Sequence, residues 1–233
     1  MTALDDLLGY IFDGKKPALY PEFEGWVRGS RRFKAFAISY RGKIRAKLKN
    51  VRDEGGMKDL RAELETAALL LREERFTLEY EKYAASKQRG PDFTVTFKTH
   101  TPFNVEVRRI RSVELDDGDT EARIGQLMAV LCDKVRQMSP SIVNLLWLIA
   151  EREISEANLT RAVMTLRQLA ERKAEDFFTR RGLESAADFL KQYRQLSVIV
   201  LRQSGENVLW VNSLARHKAL PEIVTAIQRL ETI

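Results

Sequence analysis

The chain has 233 residues, of which 44% are hydrophobic, and its net charge is +6 at pH 7. This apolar content is enough for a substantial core, in one large domain or in one domain with an appendage. A single cysteine, Cys132, excludes an intrachain disulfide, is predicted to lie in the core, and favours a cytoplasmic location. No apolar run is long enough to span a bilayer and the N-terminus lacks the pattern of a signal peptide, so we expect no membrane partner.

The positive charge is concentrated in one segment of the chain. Ten Lys or Arg residues lie between Arg28 and Arg52, and no Asp or Glu interrupts them. Such a segment attracts polyanions, of which nucleic acid is the first candidate and an acidic membrane surface the second. The alternative is a solvated helix face whose charges pair with acids elsewhere in the fold. The predicted phosphate-binding residues are Arg28, Arg31, Arg32, Lys34, Arg41, Lys43, Arg45, Lys47 and Lys49.

The first third of the chain reads as helical. Apolar residues recur every three or four positions in 3–13, in 28–52 and in 57–74, and this spacing predicts three helices. Residues 15–26 contain proline and glycine and are predicted to be a connector, and Asp53 to Gly56 are predicted to break the chain.

The next part of the chain alternates between apolar and polar residues. Residues 75–83, 92–97 and 103–110 each have the period of two that is typical of strands. Residues 116–138 then predict a helix with an acidic start, which suits the positive end of a helix dipole. The run from Ile142 to Ala150 is almost continuously apolar, as in a buried parallel strand.

The C-terminal part predicts further helices and a pair of strands. Two helices are expected in 155–192, separated near Arg181 and Gly182, and a last helix is expected after Pro221. Between them, 196–202 and 207–212 predict a late strand pair. This order favours an α/β fold with a mixed sheet, divided into a basic helical region at 1–55 and an α/β domain at 56–233.

Two carboxylates stand out because they interrupt strands that otherwise belong to a core. Asp92 lies at the start of one predicted strand and Glu106 lies in the middle of the next. If these strands pair as a hairpin, both side chains converge at one end of the sheet. Two carboxylates on adjacent strands, with a backbone carbonyl beside them, form a site suited to a hard cation such as Mg²⁺.

This arrangement resembles the PD-(D/E)XK nuclease superfamily. Pro91-Asp92 is followed after thirteen residues by Glu106-Val107-Arg108, and the order helix, three-stranded meander, helix, strand is also similar to the core of that family over about residues 57–150. The resemblance implies a restriction-endonuclease-like fold, with additional N-terminal and C-terminal helices, and a divalent-metal-dependent endonuclease that hydrolyses phosphodiester bonds of DNA. It also implies a homodimer, because many members of the family cut both strands as dimers.

The same resemblance supplies a set of metal ligands. The family often carries a glutamate on its first core helix, and Glu63 looks like that position, with Glu65 as the neighbouring alternative. The implied ligands of Mg²⁺ or Mn²⁺ are therefore Glu63, Asp92, Glu106 and the carbonyl of Val107.

The chain departs from the family at one position. Arg108 stands where the family has lysine, and arginine stays charged, so it cannot act as a base, although it can hold a phosphate. Lys98 is the predicted substitute, and Lys134 on the following helix is the other candidate. This departure keeps open a catalytically inactive, nuclease-like protein that binds nucleic acid, or a protein-interaction protein in which 155–192 docks a partner.

Each carboxylate also has an ordinary structural interpretation. Asp92 after Pro91 can be a turn residue that introduces a strand. Glu106 can pair on a solvent face with Arg108 or with Lys98. Glu63 can form a surface ion pair with Arg61.

Overall fold

The computed structural model describes residues 3–82, 90–111 and 120–230, which form nine helices and six strands. None of these helices is long and apolar enough to cross a membrane. The strands are β1 (Phe76–Tyr80), β2 (Phe93–Phe97), β3 (Thr101–Ile110), β4 (Val143–Ala150), β5 (Val198–Gln203) and β6 (Glu206–Val211). The helices are α1 (Ala3–Phe12), α2 (Tyr20–Gly29), α3 (Arg31–Asn50), α4 (Glu54–Leu70), α5 (Thr120–Val135), α6 (Glu156–Glu171), α7 (Glu175–Thr179), α8 (Ala186–Tyr193) and α9 (Pro221–Gln228).

The strands form one mixed sheet in the order β1-β2-β3-β4-β5-β6. β1, β2 and β3 are an antiparallel meander, β4 and β5 pair in parallel with β3 and with each other, and β6 returns antiparallel. The chain therefore runs through α4, the meander, α5 and then β4, which lies beside β3. The predicted α/β class, the mixed sheet and the buried parallel strand are confirmed.

Helices cover both faces of the sheet and create two apolar cores. In one core, helices α1, α2, α3, α4 and α9 pack on one face of the sheet. In the other core, helices α5, α6, α7 and α8 pack on the opposite face. In the first core, the rings of Phe36 and Tyr80 lie 5.7 Å apart between centroids, and those of Tyr80 and Phe93 stack at 5.2 Å. The basic helix α3 is thereby fixed against the sheet close to the start of β2.

The structure corrects three predictions of local structure. The predicted connector at 15–26 contains the start of α2, and Pro21 lies in the first turn, where its missing N–H leaves no hydrogen bond unmade. The predicted break at Asp53 to Gly56 lies slightly earlier, at residues 51–53, and Asp53 is the N-cap of α4, because its side chain accepts a hydrogen bond of 2.7 Å from the Gly56 N–H. Residues 155–192 hold three helices instead of two.

The short helix α7 ends close to Gly182, whose φ of +75° is a left-handed conformation that glycine adopts at little cost. The separation predicted near this glycine is therefore confirmed. The predicted acidic start of the helix at 116–119 lies outside the described residues, and the part of that helix that is described begins at Thr120.

Candidate active site

Asp92 ends the ladder between β2 and both of its neighbours. Its backbone carbonyl accepts a hydrogen bond of 2.8 Å from the Glu81 N–H, and its side-chain Oδ2 accepts one of 2.7 Å from the Val107 N–H. The register pairs Phe93 with Val105, so one step further along the same register Asp92 lies opposite Glu106. The carboxylate thus takes the place of a backbone acceptor at the strand start, and it stands beside Glu106.

Glu106 lies in the middle of β3 and has a lysine as its partner. The Lys134 Nζ on α5 lies 2.6 Å from the Glu106 Oε1, and the two side chains are only 10% and 11% exposed. Lys134 also contacts the Gln137 Oε1 at 3.2 Å. The predicted surface pairs of Glu106 with Arg108 or Lys98 are therefore wrong, and Lys134 is brought to the candidate site instead.

Glu63 approaches from α4, on the opposite side of the sheet from α5. Its Oε2 accepts hydrogen bonds from the Tyr80 hydroxyl at 2.7 Å and from the Lys47 Nζ at 2.5 Å. Lys47 belongs to the basic helix α3 and forms a second ion pair of 2.8 Å with Glu81. The alternative ligand Glu65 is engaged elsewhere, because its Oε1 lies 3.7 Å from the Arg202 Nε.

Two of the three predicted carboxylates, Glu63 and Glu106, act electrostatically on the third, Asp92. Burial raises the pKa of Asp92 well above its usual range, and the negative charges of Glu63 and Glu106 raise it further. The Val107 N–H and the Lys47 ammonium oppose this rise without cancelling it. Asp92 is therefore a carboxylate whose ionised form lacks enough positive charge around it.

The neighbours of Asp92 have shifted pKa values as well. Burial alone would lower the pKa of Lys47, but the Glu63 and Glu81 carboxylates outweigh burial and raise it. Burial, and then the Glu63 carboxylate, raise the pKa of the Tyr80 hydroxyl far above its ordinary value. Tyr80 is therefore a neutral hydrogen-bond donor at any physiological pH. We call this group the rim cluster, and its members are Lys47, Glu63, Tyr80, Glu81, Asp92, Glu106 and Lys134.

The rim cluster has the donors of a hard-cation site, although they are not arranged as one. Among the described residues, no three His, Cys, Asp or Glu side chains are grouped so as to hold a metal ion. The donor types nevertheless fit Mg²⁺, which prefers carboxylate and carbonyl oxygens. The Val107 carbonyl fits this set, since the N–H and C=O of one strand residue point to the same side and its N–H points to Asp92. Two lysines, Lys47 and Lys134, hold the glutamates in the present arrangement.

Lys98 is not brought to the rim cluster, and its predicted role as the substitute lysine is corrected here. It lies in the turn after β2, with φ of 48°, and pairs with the Glu222 Oε2 on α9 at 2.9 Å. Asp92 and Lys98 flank opposite ends of β2, so six residue steps of extended chain, about 20 Å, separate them. Arg108 is partly buried on β3, and no hydrogen bond or ion pair joins it to another described residue.

Several cations of the basic segment have partners inside the protein. Arg32 donates to the Leu71 and Glu73 carbonyls at 2.7 and 2.6 Å, and Lys43 donates to the Tyr80 and Glu81 carbonyls at 2.7 and 3.0 Å. These two residues tie α3 to the loop before β1 and to the end of β1. They are therefore bound to main-chain oxygens in the structure as it stands.

The other predicted phosphate-binding residues differ in how far they are free. Arg28 pairs with Glu24 at 2.7 Å, Arg45 with Asp13 at 2.6 Å, and Lys49 approaches Asp13 only to 3.9 Å. Arg41 lies over the Tyr10 ring at 5.1 Å. Within the described part of the chain, Arg31 and Lys34 have no ion pair or hydrogen bond from their side chains.

A cleft opens beside the rim cluster, between the end of α3 and the start of α4. Its volume is about 430 Å³, and its lining includes Lys47, Asn50, Arg52, Glu63 and Arg111. Of the site residues, the sequence argument missed Tyr80 and Glu81 and assigned Lys47 to DNA contact alone. The weak signal for the first two was their position at the end of a strand that precedes Asp92 in the same meander.

The fold and these contacts define an α/β protein in which one end of a mixed sheet carries a partly buried group of carboxylates and lysines. No family model, no curated protein and no solved structure matches this chain.

Proposed function

We propose that the protein is a divalent-metal-dependent nuclease that hydrolyses phosphodiester bonds of DNA. The observation that carries this proposal is the crowding of negative charge on Asp92 by Glu63 and Glu106, three residues that come from α4, the start of β2 and the middle of β3. A fold that buries one carboxylate and places two others close enough to repel it lowers stability at that point, which is typical of a functional site.

The topology supports the same proposal. The order α4, antiparallel β1-β2-β3, α5 and then β4 parallel to β3 is the order that the resemblance to the PD-(D/E)XK superfamily implies. Asp92 and Glu106 occupy adjacent positions in this meander, at the start of β2 and in β3. We propose on this basis that α4 to β4 form a restriction-endonuclease-like core, to which α1–α3, α6–α9, β5 and β6 are added.

The residues that would hold the metal are Glu63, Asp92, Glu106 and the Val107 carbonyl. When bound there, Mg²⁺ or Mn²⁺ would polarise a phosphate and lower the pKa of a bound water. The chain supplies positioning, because the Val107 N–H fixes one oxygen of Asp92 and the Tyr80 hydroxyl fixes one oxygen of Glu63.

Lys134 takes the role of the motif lysine, whose position in this chain is occupied by Arg108. Its ammonium lies 2.6 Å from Glu106, so it stands next to a proposed metal ligand and can donate a hydrogen bond to an attacking water. Arg108 projects from the same face of β3 as Glu106, two residues further on, and its guanidinium can hold a phosphate oxygen.

DNA would reach this site along α3. The side chains of Arg31, Lys34 and Arg41, with Arg52 beyond the helix, can contact phosphates without reading bases. Each phosphate contact releases counterions, so DNA affinity falls steeply as salt rises. The proposal includes a homodimer, since one carboxylate centre cuts one strand at a time.

The test is cleavage of a supercoiled plasmid by the purified protein. We expect nicking in Mg²⁺ or Mn²⁺, none in EDTA, and loss of nicking in Asp92→Ala and in Glu106→Ala. Glu222→Ala is the matched control, because it removes an exposed carboxylate that also pairs with a lysine. If neither rim substitution alters cleavage, the metal-site proposal fails.

The second candidate is a catalytically inactive protein with the same fold that binds nucleic acid. One observation favours it: Glu63 and Glu106 are each already paired with a lysine, and Arg108 replaces the motif lysine. This candidate predicts DNA binding that persists in EDTA and weakens with salt, without cleavage in any divalent cation.

A further inference from the structure

Lys47 differs from the other cations of α3 in what it contacts. Its Nζ lies 2.5 Å from the Glu63 Oε2 and 2.8 Å from the Glu81 Oε1, and 4.9 Å from the centre of the Tyr80 ring. Lys43, one helical turn earlier, donates to backbone carbonyls instead. Lys47 therefore carries the positive charge of the basic helix directly into the group of carboxylates.

The charges of the rim cluster do not balance in this arrangement. Glu63, Glu81, Asp92 and Glu106 contribute four carboxylates, and Lys47 and Lys134 contribute two ammonium groups. Two positive charges are therefore missing: Glu63 and Glu81 share Lys47, and the hydrogen bond that Asp92 accepts within the described residues comes from the Val107 N–H and not from a cation. A dication would supply the two missing charges, and it would then compete with Lys47 for Glu63.

The surroundings give Lys47 a place to go when it leaves Glu63. Its side chain is 25% exposed and lines the 430 Å³ cleft together with Asn50 and Arg52. A lysine side chain is long and flexible, so its ammonium can turn from a carboxylate to a phosphate in the same cleft without movement of the helix.

We propose that Lys47 is a tethered counter-ion of the rim cluster, which neutralises Glu63 when no metal is bound and which a divalent cation displaces toward a phosphate of the bound strand. The proposal rests on the proposed function, since it names the residue that couples metal binding to substrate binding in that site. Lys47 is thus a positioning residue, and the substrate group that it meets is a backbone phosphate in the cleft beside α3 and α4.

The test is the affinity for Mn²⁺ at fixed pH, measured by isothermal titration and by the electron paramagnetic resonance of free Mn²⁺. We expect Lys47→Met to bind Mn²⁺ about tenfold more tightly than the unaltered protein, because a competing charge-assisted contact is gone. Lys47→Arg retains the competing charge and should bind Mn²⁺ no more tightly than the unaltered protein. Lys58→Met is the matched control, because it also removes a lysine from a lysine–glutamate pair on α4, and its Mn²⁺ affinity should be unchanged.

Cleavage and folding measurements separate the outcomes. If Lys47 is displaced as proposed, Lys47→Met should bind Mn²⁺ tightly yet cleave plasmid at least tenfold more slowly at subsaturating DNA. An Mn²⁺ affinity of Lys47→Met that is unchanged or weaker, in protein whose circular dichroism is unaltered, overturns the displacement and leaves the nuclease proposal intact. Tighter Mn²⁺ binding without cleavage by any variant supports displacement and overturns the nuclease proposal.

Discussion

The ion pair between Lys134 and Glu106 gives the sharpest prediction for stability. Both side chains are about nine-tenths buried, and their charged atoms lie 2.6 Å apart. Lys134→Met keeps the length and apolar stem of the side chain but leaves the Glu106 carboxylate buried beside Asp92 without its cation. The loss of Lys134 removes the cation that pairs with Glu106. Glu106 also repels Asp92, so the variant leaves two neighbouring carboxylates with less positive charge around them.

The expected size follows from the burial of the pair. Removing one partner of a buried ion pair destabilises a protein by about 3–5 kcal/mol, whereas replacing both partners is often close to neutral. For a chain of this length, about 3–5 kcal/mol corresponds to a fall in Tm of roughly 6–20 °C. We therefore expect Lys134→Met to be strongly destabilised and the double variant Lys134→Met/Glu106→Gln to recover most of the loss.

The assay is urea unfolding followed by circular dichroism, with both single variants and the double variant in one thermodynamic cycle. The cycle should give a coupling free energy of at least about 2 kcal/mol. Lys58→Met, which breaks an exposed pair on α4, should unfold at the urea concentration of the unaltered protein. A coupling near zero would refute the reasoning, because it would show that Glu106 is neutralised by another group or by water.

Three further predictions concern other parts of the molecule. Folding raises the pKa of Asp92, so its ionisation weakens the fold at neutral pH. Asp92→Asn should therefore raise the free energy of unfolding at pH 8 by about 1.4 kcal/mol for each unit by which folding raises the pKa of Asp92. This gain in stability should disappear toward pH 4, where the carboxyl group of Asp92 is protonated in the unfolded chain as well. Arg31→Gln/Lys34→Gln should lower the salt dependence of DNA binding by about two counterions, measured by fluorescence anisotropy, whereas Arg32→Gln should lower Tm because Arg32 donates to backbone carbonyls. Burial raises the pKa of the Cys132 thiol to about 11, so thiol reagents at pH 8 should label it only in urea.

The strands were predictable because their signal is local. Alternation in 92–97 and 103–110 and the apolar run before Ala150 reflect which face of a strand is buried, and this is visible within one segment. The proximity of Asp92 to Glu106 was also predictable from the sequence, because two strands that pair as a hairpin place these residues at the same end of the sheet. These strand predictions were correct because the period of the side chains alone determines which residues of a strand are buried.

The ion pairs were not predictable because they depend on how separate elements pack. Lys47 and Glu63 lie on two helices, and only the packing of α3 on α4 decides that they meet. Lys98 was wrongly predicted to be the substitute lysine because β2 ends at Phe97, so Lys98 lies in a turn at the opposite end of the strand from Asp92. Arg32 was predicted to bind phosphate, and its hydrogen bonds to the Leu71 and Glu73 carbonyls could not be predicted because main-chain acceptors are not visible in the residue types.

The most direct test is a crystal structure of the protein soaked in Mn²⁺, with the metal located by its anomalous scattering. A peak within about 2.5 Å of carboxylate oxygens of Glu63, Asp92 and Glu106, with the Lys47 ammonium moved away from Glu63, is the predicted result. A crystal that binds Mn²⁺ elsewhere, while the rim cluster keeps both lysine pairs and shows no peak, would contradict the account.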